Sequence, residues 1–303
     1  MKNTLIYHVL AFVIVAIWGV TFISTKILIS NGLNPAQIFT IRFLVAYFGL
    51  VLFSLLAGNG FKAIPGTWKD ELLFLFVGIT GGSLYFMTEN SALVSTQACN
   101  VAFIVCSAPL LTTLFTMAFR KVSKGELAKG LQDVRVTPLL VIGTMLAFLG
   151  MGLIIFDGAQ FHFSLKGDLL ALGAAVTWGL YSIVMGQLTS RFGAVMATRK
   201  VFFYGLVTIV PFILDGSMRE GNLTAWPVIG NLLFLGIVAS LLCFVGWNKV
   251  MAEIGNVTST NYVYLNPFFT LVAAVLILGE SMSLVAAIGS ASIFLGVYLA
   301  GRK

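Results

Sequence analysis

Arg42 and Glu89 are the ionisable residues that fall furthest inside apolar stretches of this 303-residue sequence. An ion surrounded by hydrocarbon is costly enough to demand a role. Arg42 lies about two turns into a stretch read as 35 to 57, and Glu89 about one turn before the end of one read as 71 to 93. If those two ends face the same side of a bilayer, the charges sit at similar heights and can meet. Their chemistry would then be an outer gate, or a site for a proton or a substrate carboxylate. The alternative is a tie between helices, or a pair snorkelling toward the headgroups. Lys26 is expected to reach water. Lys249 and Glu253, at i and i+4, suit an interfacial pair on one helix face. Glu280 is expected to cap or tie loops. His8 and His162 fall near opposite faces and cannot share a site. With no paired-carboxylate motif, no metal-ligand cluster and no nucleophile beside a base, neither an enzyme nor a resident metal or cofactor is expected.

Small, polar and aromatic residues populate the middle of the same stretches. Trp18 and Trp178 fall near mid-stretch, away from the interfacial belts where Trp usually anchors. Facing one cavity, they would offer stacking surface and a donor each; packing between two units is the alternative. Pro109 and Pro267 each remove a backbone donor and free a carbonyl four residues earlier. In lipid that carbonyl must find a partner or line a cavity, although an ordinary kink would serve the same two prolines. Ser83, Tyr85, Asn100, Ser107, Asn261, Tyr262 and Asn266 complete the candidate lining. Gly78 and Gly82, Gly143 and Ala147, and Ala286 and Ser290, each four apart, are expected to let helices pack closely.

Those residues need helices that lipid will accept. Hydrophobic residues make up 59% of the chain and charged ones 10%, with a mean hydropathy of +1.00. A soluble domain carries about a quarter charged residues, so lipid must be the solvent. Ten apolar stretches are read at 5 to 28, 35 to 57, 71 to 93, 97 to 119, 137 to 156, 167 to 188, 198 to 214, 228 to 250, 257 to 279 and 283 to 300, each near the length of a bilayer crossing. The first continues too far through Trp18 to Leu28 to resemble a cleaved signal. With the amino terminus inside, only Lys26, Arg42, Lys166 and Arg219 of the eighteen basic residues fall outside. Both termini are then cytoplasmic, and the high pI reports topology, so no nucleic-acid partner is called for. The basic segment 120 to 137 is read as a solvated loop near anionic headgroups.

The two halves repeat. Trp18-Gly19 recurs as Trp178-Gly179, and the run from Leu72 recurs from Leu232, both 160 positions on. Asn90, Pro109 and Thr112 match Asn248, Pro267 and Thr270 at 158, and the run from Ile142 matches that from Ile288 at 146. The domains expected are residues 1–156, with the basic loop, and 157–303, five helices each. Five is odd, so the second copy enters from the opposite face. The expected fold is an all-α integral membrane protein of ten transmembrane helices in two inverted-topology repeats, an architecture suited to alternating access.

These residues resemble a known family. The Trp-Gly pairs, Arg42, Pro109 and Pro267, the LGE at Leu278 to Glu280 and the IG...FLG runs are similar to the EamA-type branch of the drug/metabolite transporter superfamily. FRKV from Phe119 to Val122 stands where many relatives carry a first LGE. The resemblance implies a ten-helix carrier with cytoplasmic termini, many such carriers exporting amino acids or other small metabolites. The scarcity of central charge favours neutral, zwitterionic or amphipathic substrates. The expectation is an exporter in a bacterial inner membrane, working as a monomer among membrane lipids, with protons as a candidate coupling ion. A nucleotide-sugar or phosphate-ester antiporter and a passive channel are the rivals. Cysteines introduced by Asn59→Cys and Ser217→Cys are expected to react with an impermeant thiol reagent from opposite sides of the membrane; labelling from one side overturns the ten-span count.

Overall fold

Hydrocarbon offers backbone amides no partner, so a chain this apolar must satisfy them within helices. The computed structural model describes residues 4–56, 66–96, 98–122, 137–156, 164–214, 223–278 and 283–301, and every regular element among them is helical. The helices are α1 (Leu5–Ser30), α2 (Pro35–Leu56), α3 (Trp68–Ser95), α4 (Ala98–Val105), α5 (Ala108–Val122), α6 (Pro138–Phe156) and α7 (Leu165–Phe192). There follow α8 (Ala194–Leu214), α9 (Trp226–Ile254), α10 (Asn256–Thr260), a 3-10 turn (Asn261–Leu265), α11 (Asn266–Leu278) and α12 (Leu284–Ala300). Helix thus occupies all ten apolar stretches. Seven segments, in α1, α2, α3, α4 with α5, α7, α8 and α9, are long and apolar enough to cross a bilayer, and α6 and α12 are shorter apolar helices. Glu280, His162, Asn59, Ser217 and loop residues 123–136 lie outside the described residues.

Local chemistry explains where the helices outrun the apolar stretches. Thr67 and Asp70 form a capping box, so α3 starts ahead of its oily run. Gly193 and Gly255, at φ +81° and +88°, end α7 and α9 in a conformation other residues rarely adopt. The outer surface of the bundle is apolar, with Leu56, Leu149 and Leu276 among the exposed side chains, as a lipid-facing surface requires.

Pairs of helices from the two halves pack in matching ways. α1 packs on α9 and α11, as α7 packs on α3 and on α4 and α5; α2 packs on α9, as α8 packs on α3. The closest approach joins α6 and α12. A Cβ on Gly143 would stand 2.5 Å from the Gly296 carbonyl oxygen, and one on Gly150 would stand 2.4 Å from that of Gly289. With no hydrophobic drive between helices in lipid, such backbone contact is what holds them together. Gly143→Leu is therefore expected to lower the melting temperature in detergent, with an overpacking cost of about 1–3 kcal/mol. Gly230→Ala, at a glycine with nothing within 4 Å, is the control and should leave melting unchanged.

Candidate functional site

A cavity opens where α1, α2, α3, α4, α7, α9 and α11 converge, lined by residues from both halves. Three pairs of lining residues are repeat partners. Trp18 and Trp178 stand 160 positions apart, while Phe86 and Phe244, and Val105 and Val263, stand 158 apart. The Trp18 and Trp178 rings meet edge to face at 5.4 Å, which favours the quadrupoles of both. The cavity measures about 30 Å³. That volume admits about two waters.

The charges enter from the first half. Arg42 and Glu89 both line the cavity and are buried. Arg42 donates through Nε to Ser240 Oγ at 2.9 Å, with its guanidinium carbon 4.3 Å from the centre of the Phe86 ring. Tyr85, also on the cavity, donates its hydroxyl to Glu89 Oε1 at 2.6 Å. Among the described residues Arg42 and Glu89 make no direct ion pair. Each is held by a neutral partner, so a guanidinium and a carboxylate face one small space with net charge near zero.

Backbone irregularities border the same space. Val105 and Val263, each four residues before a proline, line the cavity, and the Val263 carbonyl accepts from Cys106 Sγ at 3.3 Å. Pro109 and Pro267 themselves are the second residues of α5 and α11, in first turns where a missing N–H costs little. Two π-helical segments, Ile79–Ser83 in α3 and Phe234–Leu242 in α9, fall at matching places in the repeat. Such segments leave carbonyls off the regular ladder. Trp18 Nε1 takes one of these, the Ala239 carbonyl, at 3.0 Å. Among the described residues its partner Trp178 finds no acceptor for Nε1 and Asn266 finds no donor for Oδ1, although both are buried on the cavity.

Several expected lining residues lie elsewhere. Ser83 ties α3 to α8 through Thr208 Oγ1 at 2.7 Å. Asn100 donates back to Thr96 Oγ1, while Ser107 is half-buried at the break between α4 and α5, its buried Oγ without a partner among the described residues. Asn261 is buried in the 3-10 turn. Tyr262 bonds instead with His8 Nδ1 at 2.8 Å. Lys26, expected in water, donates to the Leu93 and Thr96 carbonyls and so caps the end of α3, where a cation suits the helix dipole. The i, i+4 pair of Lys249 and Glu253 is present at 2.6 Å.

Sequence reasoning missed the ion pairs that close one end of the bundle. Arg191 at the end of α7 meets Asp70 at 2.8 Å, and Lys200 in α8 meets Glu71 at 2.8 Å, with Tyr204 adding a hydroxyl. Both ion pairs bridge the two halves. Between them and the cavity, Tyr181 donates to Asn248 Oδ1, whose Nδ2 donates to Thr198 Oγ1 at 2.8 Å. Trp247, wholly buried, packs 4.9 Å from Trp18. The sequence marks Asn248 and Trp247 as weaker candidates near the inner end of their stretch, Asn248 by its repeat match to Asn90; the ion pairs gave no signal, since Asp70 and Arg191 lie at ends of apolar runs.

Comparison with known proteins bears on the whole chain. Residues 5–156 and 165–302 each match the model of the EamA-like transporter family. An uncharacterized transporter of Archaeoglobus fulgidus is 25% identical over 299 residues, covering 98% of this chain and 97% of its own. The uncharacterized inner membrane transporter YedA of Escherichia coli K12 is 23% identical, covering 90% and 83%. A probable terminal-alkyne amino-acid exporter of Streptantibioticus cattleyicolor is 27% identical, covering 78% and 74%. One solved crystal structure superposes with a TM-score of 0.69 at 20% identity over 99% of this chain and 96% of its own, which shows a shared fold.

The two indoles should behave differently on replacement. Trp18→Phe removes a hydrogen bond to the Ala239 carbonyl and is expected to cost about 1 kcal/mol more than Trp178→Phe, whose indole N–H has no acceptor among the described residues. Thermal unfolding of the two variants in one detergent checks this, and equal losses would contradict it.

Proposed function

The chain belongs to the EamA-like transporter family, and on that premise we propose that it exports small zwitterionic metabolites, amino acids or compounds like them, by alternating access across a bacterial inner membrane. The observation that carries this reading is the cavity itself, built from both halves and lined by Arg42 and Glu89 together. A guanidinium suits a carboxylate and a carboxylate suits an ammonium group, so a zwitterion satisfies both without leaving a net buried charge. The Trp178 indole N–H and the Asn266 amide oxygen add a donor and an acceptor that lack protein partners. That one relative is named a probable amino-acid exporter supports the same substrate class.

Ten crossings with cytoplasmic termini put the Asp70 and Arg191 end on the inside, as the distribution of basic residues favours. The state described is then closed to the cytoplasm by the Asp70 and Glu71 ion pairs and by the Tyr181, Asn248 and Thr198 chain. Substrate enters when those contacts part, neutralises Arg42 and Glu89, and leaves outward when they re-form. If the halves exchange roles between states, Trp178 takes the π-segment carbonyl of Ile79, which stands 160 positions before Ala239, and Trp18 gives its own up. Tyr85 on Glu89 supplies a proton donor and acceptor beside the cavity, which suits proton coupling.

Arg42 on the cavity is also what a phosphate-ester antiporter would need, but Glu89 beside it opposes a multiply charged anion. Liposome flux of neutral amino acids, their toxic analogues and nucleotide sugars, with and without a pH gradient, separates these readings. Saturable amino-acid flux with counterflow is expected, and Arg42→Gln or Glu89→Gln should lower it about ten-fold or more, as loss of a charge-assisted hydrogen bond does. Preference for nucleotide sugars, or flux that neither saturates nor shows counterflow, overturns the proposal.

A further inference from the structure

Apart from the central cavity, α5 and α6 diverge and leave a second, larger cavity of about 540 Å³ that shares no lining residue with it. The cause lies in α6, which gives its glycine face to α12 and does not close onto the helix that precedes it. Leu110, Leu114 and Met117 form one wall, and Val141, Met145 and Phe148 the other. The two threonines on the walls present no free hydroxyl, because Thr113 donates to the Pro109 carbonyl and Thr144 is bonded to the Tyr264 hydroxyl. Water has nothing to bind there, and an apolar cavity of this kind stays dry.

The dimensions match one half of a bilayer. From Leu110 to Met117 the α5 wall runs about 10 Å, and from Leu140 to Leu149 the α6 wall runs about 14 Å, against about 15 Å for one leaflet of hydrocarbon. Leu114, Met145 and Leu149 are exposed, at 51%, 63% and 67%, so the groove opens sideways toward the surrounding lipid. Its mouth is charged. Arg120 and Lys121 occupy the last turn of α5, three and four residues beyond Met117 and therefore on the face that lines the groove. Neither residue contributes to the central cavity, and the basic segment they begin has no part in the transport reading.

We propose that this groove binds one acyl chain of an anionic phospholipid from the leaflet on the Arg120 side, with the lipid phosphate at Arg120 and Lys121. The hydrocarbon walls take the chain, the lateral opening admits it from the bilayer, and the two cations select the headgroup. A basic residue near an anionic membrane surface contributes about five-fold in binding, so two are enough to distinguish an anionic lipid from a zwitterionic one. The proposal stands apart from the transport reading, since it concerns a surface that faces lipid.

The whole chain, reconstituted in vesicles of equal parts phosphatidylglycerol and phosphatidylcholine with the same acyl chains, is extracted in mild detergent and its retained lipids are counted by native mass spectrometry. Wild type is expected to retain phosphatidylglycerol over phosphatidylcholine by at least about five-fold. Leu114→Trp, which fills the groove, should lower the count by one phospholipid per chain; Met145→Trp on the opposite wall reads the same quantity should the first variant fold poorly. Replacing Arg120 and Lys121 together by Gln should keep the lipid and abolish the preference. Equal retention of the two lipids by wild type, an unchanged count in both groove-filling variants, or retention of free fatty acid in place of phospholipid overturns the assignment.

Discussion

Hydrocarbon solvates neither an unpaired amide nor an ion, and the arrangement of this protein follows from where it meets that demand internally. Most of the chain does so with uninterrupted helix. The exceptions gather at one level, where two π-helical segments, a helix break before Pro109 and a 3-10 turn before Pro267 all release backbone groups. Irregular backbone at membrane depth is tolerated where protein or a cavity surrounds it, and the central cavity is lined by residues at the break and the 3-10 turn, Val105 and Val263, and by residues just beyond the two π-helical segments, Tyr85 and Phe244. Trp18 Nε1 on the Ala239 carbonyl and Cys106 Sγ on the Val263 carbonyl show how two of the released groups are satisfied, each by a side chain from the other half.

Repeat partners that differ are as informative as those that agree. Arg42, Tyr85 and Glu89 of the first half correspond, at spacings of 160, 158 and 158, to Phe202, Cys243 and Trp247 of the second. At these three positions the first half therefore supplies ionisable or hydroxyl groups, where the second supplies two aromatic rings and a thiol. Phe202 and Trp247 are wholly buried and pack with Phe43, Phe244 and Trp18 into an aromatic mass on one side of the cavity. A duplicated scaffold thus yields a site with a polar wall and a stacking wall, which neither half could form alone.

Much of this was legible in the sequence because lipid simplifies the reading. Apolar runs located helix in all ten stretches, and the spacing of Trp18 with Trp178 and Pro109 with Pro267 located the level of the cavity. What periodicity could not give was facing. Tyr262 stands one residue from the cavity-lining Val263, yet its hydroxyl points to His8; Ser83 stands two residues from Tyr85, yet turns to Thr208. On an irregular helix a single residue of register changes the neighbour, and both residues adjoin 3-10 or π-helical turns whose presence the composition does not signal. The spacing itself held more than was taken from it: Phe86 with Phe244 and Val105 with Val263 match at the same 158 as the prolines.

The inequality of the two tryptophans bears on how such a site can move. A buried donor without an acceptor is a standing cost to the state that contains it. Here that cost falls on Trp178 and the matching gain on Trp18, through side chains that are otherwise equivalent. If, as proposed, the two arrangements exchange, the cost passes from one indole to the other and the total is nearly unchanged, so neither state is strongly preferred on this account. The ties at the two ends differ in kind: the Asp70 and Glu71 ion pairs bridge the halves at one, whereas at the other Ser24 donates to Asn231 Oδ1 across the halves and Lys26 ties α1 to α3 within the first half. A zwitterion that satisfies Trp178, Asn266, Arg42 and Glu89 together would lower the energy of whichever state lets it reach all four. On the proposed cycle, binding then has to offset the inter-half ties, among them the partly exposed ion pairs and the Ser24 to Asn231 and Ser83 to Thr208 hydrogen bonds, so that exchange between states needs no group to cross the hydrocarbon unpaired.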